Sequence, residues 1–526
     1  MSRDISVSLT HPLTSAYCAR VTRGDSCDVL VIGAGPAGST AAQLLASWGW
    51  SVTLVHRAAS HRPLAESLPS STRKLLHFLG LLDRVDAAGL HPNQGNIAQW
   101  AGAARTTRTA DAGFHVSRDQ FDRILRDGAV AAGVRMVDEV VQRVQMGDPI
   151  RITCATRGDG DVTRHARYVL DCSGRAGVIA RRGLRRSGAR YRTLAVVAEW
   201  DCATWPSDER TLTAIESYGD GWAWSVPLSP TRRQCTVMIE PGRVGPPNRG
   251  TAEGGAVNAF ALGTAYAREL SKAATLSARL AGATQVSAPW ACDASIYDAT
   301  SAADDGLLLV GDAASFIEPL SSAGVKKALL SAWRAAVVTN TCLANHALRG
   351  PATGLYARRE RQVYADCMRR ARAFFAEAGQ AHNSSFWSRR ADDDGAVDGL
   401  EGDVDMSDEA AARDAGVRLA FEQLRAAEHV RLRPAAALRF EPVASIEGRE
   451  VVMRDALVVP GLSAPLQFIA GVNLAALARL ANGRDEVPAL LAAYSAQVGP
   501  VPLTGLLTGL SLLVARHALV PEGSTL

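Results

Sequence analysis

The stretch Asp28–Arg57 reads as an apolar strand, a glycine turn, a helix and a second strand. This unit holds a dinucleotide phosphate and commits the front of the chain to a parallel α/β sheet. Val29–Ile32 is apolar enough for a buried parallel strand, and Gly33 permits the tight turn. Gly35 removes the side chain where a pyrophosphate approaches the backbone, and Gly38 lets the helix pack on the strand. The helix opens with Pro36 and Ala37, so its first N–H groups face the phosphate. The second strand, Val52–Val55, runs into His56 and Arg57, where a carboxylate usually takes the ribose hydroxyls. His56 either donates a hydrogen bond in its place or is a surface histidine at a strand end.

The chain has 526 residues, enough for two or three domains, and its 47% hydrophobic and 21% charged content suits a soluble globular enzyme. A net charge of +4, with arginines dispersed, does not suggest nucleic acid or an anionic membrane as the main partner. The nine cysteines are scattered without a C-x-x-C pair, which fits reduced thiols in a cytoplasmic protein and neither a disulfide framework nor a metal site. Residues 1–26 lack an apolar run and read as an N-terminal extension. Val501–Val520 is apolar, but Gly505, Gly509, Arg516 and His517 interrupt it, so a buried or interface helix is expected rather than a span of about 20 uncharged residues.

Three later segments look like returns of the same cofactor domain. They are Val116–Leu125, with Phe121, Ile124 and Leu125 at helical spacing, then Tyr168–Arg175, and then Gly306–Ala314, whose strand ends on Asp312 before a long helix from about Ser322 to Asn345. The stretch 191–299 is rich in Thr, Val, Trp and Tyr at period two and predicts an inserted antiparallel sheet walling a substrate pocket. The expected fold class is therefore α/β. A Rossmann-like dinucleotide cofactor-binding domain comprises 27–190 and 300–345, a β-sheet substrate domain 191–299, and a mostly helical C-terminal region 346–526, with an acidic loop at 392–408 and a hairpin near Ile446–Met453.

In this order the segments resemble the FAD-dependent monooxygenase superfamily with the p-hydroxybenzoate hydroxylase-like fold. The residues that carry the resemblance are Gly33, Gly35 and Gly38, Arg118 with Phe121 and Asp122, Asp171 with Ser173 and Gly174, and Gly311 with Asp312. The resemblance implies FAD as cofactor, with Arg118 and Asp312 among its contacts. Asp312 also has a physical case, because a carboxylate at the carboxyl end of an apolar strand is where such sheets hold ligand hydroxyls; the alternative is a helix cap. Gly221-Trp222-Ala223-Trp224-Ser225-Val226-Pro227 is similar to the GWxWxIP signature of flavin-dependent halogenases. Phe316 to Gly324 fits their FxxPxxSxG tunnel motif through Pro319 and Ser322. Glu66-Ser67-Leu68-Pro69 resembles their G-E-S/A-x-x-P stretch, and Gly324 and Val325 fall beside the cofactor by the same resemblance. Trp222 and Trp224, two apart on a strand, point to one face and can wall a flat apolar slot.

Halogenases of this group carry their oxidant to the substrate on a tunnel lysine. By the spacing of the tryptophan halogenases that residue is Lys74, whose alternative is a solvated position on a helix Ser71–Leu79. Those enzymes also hold a Glu two residues after the motif proline, where this chain has Ser321, and a hydroxyl is no general base without an activating partner. A further branch, flavoproteins that oxygenate a tryptophan side chain of a partner protein, resembles the chain at Glu66–Gly80 and Gly95–Trp100. Oxygenation asks only for a dry slot and correct orientation, which Trp222, Trp224, Phe316 and Pro319 can supply. Of Lys326 and Lys327, one could hold a phosphate or halide and the other be solvated, while His77, His115 and His382 are more often structural.

The reading reached is an oxidative enzyme of the halogenase-like flavoprotein monooxygenase group, using oxygen and reduced flavin on an aromatic or electron-rich substrate that is a small molecule, carrier-bound or a peptide. Halogenation is the alternative, and a geranylgeranyl reductase-like flavoprotein the second. With no second glycine fingerprint, a separate flavin reductase is the expected partner.

Overall fold

The computed structural model describes residues 25–57, 62–158, 160–187, 191–244, 259–393, 408–426, 429–436, 438–459, 462, 465–483 and 486–522. The N-terminal extension and most of the acidic loop lie outside the described residues. The chain divides into two compact units, Met1–Asp398 and Gly399–Leu526.

In the first unit β1 (Ser26–Ile32) pairs in parallel with β2 (Val52–His56) on one side and with strand Asp161–Asp171 on the other. Strand Leu307–Leu309 adds beyond Asp161–Asp171, and Arg135–Asp138 beyond β2, all in parallel. Val29, Leu30 and Val31 have no exposed surface, as expected of a parallel strand buried on both faces. The helix α1 (Pro36–Ser47) packs against the long helix Gly324–Ala344 and against helix Arg118–Ala131. Phe121, at the helical spacing read above, is fully buried, a contribution of about 1.5–3 kcal/mol.

A second sheet, of nine strands among the described residues, packs with this layer. Strands Leu194–Asp201, Arg232–Ile239, Gly221–Pro227 and Thr213–Tyr218 run antiparallel in that order. The sheet then continues through one parallel pairing into His91–Trp100 and, antiparallel again, into Ala103–Ser117 and β3 (Ala65–Leu68). The antiparallel sheet is thus not confined to 191–299. It recruits three strands from the stretch assigned to the cofactor domain, because a sheet edge is completed by hydrogen bonding to whichever extended segment the fold brings alongside. On its far face Val196, Ala198, Cys235 and Val237 pack on Leu262, Tyr266 and Leu270 of helix Ala259–Lys272.

The boundary of the second unit falls at 398, not at 346. Helix Arg349–His382 belongs to the first unit, where it packs on Gly324–Ala344. The second unit carries helices Asp408–Arg413, Ala415–Ala426, Leu474–Leu480, Val487–Gln497 and Leu503–Ala515, in keeping with the helical C-terminal region expected. Its hairpin Arg439–Glu447/Glu450–Val458 encloses the predicted one, and further short two-stranded pairings accompany the helices. Helix Leu503–Ala515 lies in the core of its own unit. A Cβ added at Gly509 would sit 3.3 Å from Leu477 and 3.4 Å from Leu474, so the glycine serves close packing. No helix among the described residues is long and apolar enough to cross a membrane.

Candidate functional site

A cavity of about 410 Å³ lies between the parallel layer and the antiparallel sheet of the first unit. The sheet supplies its floor through every second residue of four strands: Thr213 and Ile215, Trp224 and Val226, Gln234, Thr236 and Met238, and Ala195 and Val197. Ile215, Trp224, Thr236 and Val197 stand opposite one another in a single cross-strand row. The intervening residues face the far side, so a two-residue period sets which face of the sheet each residue takes.

At the opposite end the cavity meets the glycine turn through Gly33, Gly35, Pro36 and Ala37. Gly33 has φ +102°, a conformation that favours glycine, and a Cβ at Gly38 would sit 1.8 Å from the Gly33 carbonyl oxygen. At Gly35 the nearest atom to an added Cβ is Arg118 Nη2 at 3.8 Å, so a side chain there would occupy the cavity itself. The N-terminus of α1 has no side-chain cap and no acidic residue in its first turn, which leaves its N–H groups for an anion. The turn and helix end fit a dinucleotide pyrophosphate.

Beside the turn stands a charged group. Arg118 donates from Nε to Asp122 Oδ1 at 3.0 Å and from Nη2 to Oδ2 at 3.2 Å, and its Nη1 reaches Glu66 Oε1 at 3.4 Å. Burial alone would lower the Arg118 pKa, but the Asp122 and Glu66 carboxylates hold it above the usual value. Burial raises the pKa of Glu66, against the opposing charge of Arg118. Glu66 reaches this place because Gln234 of the floor accepts from Ala65 N–H at 2.7 Å and donates to the Pro63 carbonyl at 3.1 Å. Asp312 also lines the cavity, and the Tyr297 hydroxyl donates to its main-chain carbonyl at 2.7 Å.

The tunnel motif forms a third wall through Phe316, Pro319 and Ser322, continued by Gly324 and Val325 at the start of helix Gly324–Ala344. Phe316 is bridged to Tyr297 by backbone hydrogen bonds of 2.8 and 3.3 Å and stacks on its ring at 6.0 Å. The guanidinium of Arg175 lies 4.0 Å from the Phe316 ring centroid.

Several expected residues lie elsewhere. Lys74 is exposed on α2 (Ser71–Phe78) and does not line the cavity, since Thr72, Leu75 and Leu76 form the buried face of that helix. Ser321 is exposed, its hydroxyl donating to the Glu318 carbonyl at 3.1 Å. Trp222 shares a face with Trp224 but is buried against Trp100, 6.3 Å between ring centroids, in a cluster that includes Trp387 and Phe386. Only Trp224 reaches the cavity. The Asp171 carboxylate is fully buried and accepts from Ser173 N–H at 3.0 Å, the Ser173 hydroxyl, Ile179 N–H at 2.8 Å and Ala180 N–H at 3.3 Å, so it closes its own loop and is spent as a ligand group. His56 is half-buried and Arg57 exposed, both outside the cavity lining. Gly311, with φ +63°, and Gly38 support the lining from beneath. His382 is hydrogen-bonded to Ser217 Oγ at 2.9 Å and stacked on Trp387.

The sequence singles out neither Arg175 nor Glu318, and names Lys327 only together with Lys326. Arg175 follows Ser173-Gly174 directly and was legible as a motif neighbour. Glu318, inside the tunnel motif, is 2% exposed with both carboxyl oxygens unpartnered, and burial pushes its pKa up to about 7 against the nearby Arg390. Lys327 is buried directly behind Asp312, and nothing in the sequence separated it from Lys326.

Comparison with known proteins gives a consistent picture. A family model described as an FAD binding domain matches residues 26–338. Tryptophan 2-halogenase of Chondromyces crocatus is 31% identical over 63% of this chain, which spans 65% of that protein's length. Among solved structures, the flavin-dependent halogenase CmlS superposes with a TM-score of 0.73 at 23% identity, covering 94% of this chain and 96% of its own. The peptidyl tryptophan dihydroxylase QhpG superposes with a TM-score of 0.64 at 23% identity, covering 93% and 99%. The two solved structures share the α/β fold of this chain.

Proposed function

This chain belongs to the FAD binding domain family, and from that premise we propose that it is an FAD-dependent monooxygenase of an aromatic or electron-rich substrate. Bound, reduced FAD supplies the activation of molecular oxygen. The turn Gly33–Gly38 and the N-terminus of α1 receive its pyrophosphate, and Arg118, Glu66 and Asp312 take its polar groups at the same end of the cavity. Ile215, Trp224, Thr236 and Val197 carry the substrate ring on the sheet floor, with Phe316 and Pro319 facing them. These walls exclude water, and the Thr236 hydroxyl on the floor is a neutral group that orients a substrate hydroxyl or ring N–H.

One observation carries oxygenation over halogenation. Among the described residues the cations lining the cavity are Arg118 and Arg175, both arginines, and Lys74 stands outside it. An oxygenation needs orientation and dryness, which this lining provides, whereas a halogen carrier needs an amine at the cavity. Halogenation remains the second reading, supported by the tryptophan halogenase relative. The substrate as a small molecule, a carrier-bound group or a peptide, a separate flavin reductase as the electron source, and a cytoplasmic setting belong to the same proposal.

The test supplies the protein with reduced FAD, air, chloride and bromide, and a panel of indoles, phenols, pyrroles and tryptophan-containing peptides. Product masses raised by one oxygen, independent of halide, are the expected result. Products carrying the halogen isotope doublet, absent when halide is omitted, would overturn oxygenation in favour of the second reading.

A further inference from the structure

Lys327 lies in the first turn of helix Gly324–Ala344 and is 4% exposed. Its ammonium donates to the Gly311 carbonyl at 3.0 Å and to the Ser315 carbonyl, and stands 3.5 Å from Asp312 Oδ1. Two effects oppose a cation here. Burial strips its hydration, and the N-terminal end of a helix is itself positive. The neighbours Val325, Ala328 and Leu329 are buried apolar residues, so an apolar side chain at 327 would serve packing without either penalty. All three acceptors belong to one feature, the turn Gly311–Ser315 that presents Asp312 to the cavity.

The charges at this end of the cavity explain why a cation is retained. Glu66, Asp122 and Asp312 are carboxyl groups, and Arg118 and Lys327 are the cations beside them. FAD adds its phosphates, and the reduced ring adds a further negative charge when it loses its N1 proton near neutrality. Without Lys327 those three carboxyl groups would keep Arg118 and, elsewhere in the lining, Arg175 as cations, and the added charge of reduced FAD would be disfavoured most.

We propose that Lys327 is a positioning residue which braces Asp312 and supplies the buried positive charge by which this site favours reduced over oxidised FAD. The proposal rests on FAD binding and not on the choice between oxygenation and halogenation. It gives the site a preference for flavin that arrives already reduced.

The test compares the full-length protein with Lys327→Met, which keeps length and loses charge, and Lys327→Arg, which keeps charge. Affinity for oxidised FAD is measured by fluorescence quenching, and the midpoint potential of bound FAD by dye-equilibrated reduction against free FAD. In Lys327→Met the ratio of reduced to oxidised affinity is expected to fall about tenfold, a potential about 30 mV more negative for a two-electron couple. Lys327→Arg is expected to hold the wild-type potential. Should Lys327→Met fail to fold, Asp312→Asn in the wild-type background decides: with the carboxylate neutralised and the lysine uncompensated, the potential moves positive. A Lys327→Met protein that binds both redox forms more weakly by the same factor, or with unchanged potential, overturns the proposal, as does an unmoved potential in Asp312→Asn. Wild-type protein that takes up no FAD would instead sink the cofactor assignment.

Discussion

Replacing Glu318 with Gln removes a carboxyl group that the fold buries without a hydrogen-bond partner. Its neighbours in the chain, Ile317 and Pro319, line the cavity, so its environment is set by the same wall that faces substrate. Burial raises its pKa from 4.5 to about 7, with Arg390 the opposing charge. The folded state therefore binds a proton that the unfolded state has released between those values, and stability attributable to this group falls as pH rises through that window. At about 1.36 kcal/mol per pH unit, the full loss is about 3 kcal/mol, reached above pH 7 and absent below pH 4.5. For a unit of this size that is about 4 °C in melting midpoint. The assay is the thermal midpoint of the first unit in wild type and Glu318→Gln, followed by near-UV circular dichroism from pH 4.5 to 8.5. The variant, which cannot ionise, is expected to gain on wild type steadily as pH rises. A difference between the two proteins that stays constant over the whole range refutes the reasoning, because it would mean Glu318 ionises in the fold as readily as in the unfolded chain.

Gly35→Val should fold normally by far-UV circular dichroism yet lose at least about 100-fold in FAD affinity, since the side chain occupies the cavity and each tenfold is about 1.4 kcal/mol. A full yellow complement in that variant contradicts the cradle. Gly38→Val is expected to differ in kind, destabilising the first unit by more than about 4 kcal/mol in urea titrations because its Cβ would collide with the Gly33 carbonyl. Lys74→Ala should leave FAD uptake and turnover within about twofold of wild type, given its exposed position; a tenfold loss of turnover would restore it as an oxidant carrier. His115 is 1% exposed with both ring nitrogens unpartnered, and burial, with His91 and Arg233 nearby, holds its pKa well below 6.5. Stability from this group is present above pH 6.5 and lost as pH falls below it, so His115→Leu should flatten the acid side of the stability profile. An unchanged acid limb would count against that assignment.

The glycine turn was readable from residues 28–57 because every requirement there is local. Each glycine answers a backbone constraint within the same unit of about 30 residues, and the flanking strands announce themselves by unbroken apolar runs. The floor strands were readable for the same reason, a period of two deciding which face each residue takes. Asp312 and Arg118 were legible through motif spacing, and both reach the cavity.

Tertiary structure decided what local periodicity does not encode, namely what stands opposite each face. Trp222 and Trp224 have identical sequence credentials, and only the arrival of Trp100 and Trp387 from distant segments buries one and leaves the other at the cavity. Asp171 ends its strand and Asp312 follows one, in the turn Gly311–Ala313, yet one carboxylate turns back onto its own loop while the other lines the cavity. Lys326 and Lys327 are adjacent and chemically identical, but successive helical positions point about 100° apart. The fold's choice of which one to turn inward places a buried cation behind the cofactor site and leaves the other near Ser71 at the surface.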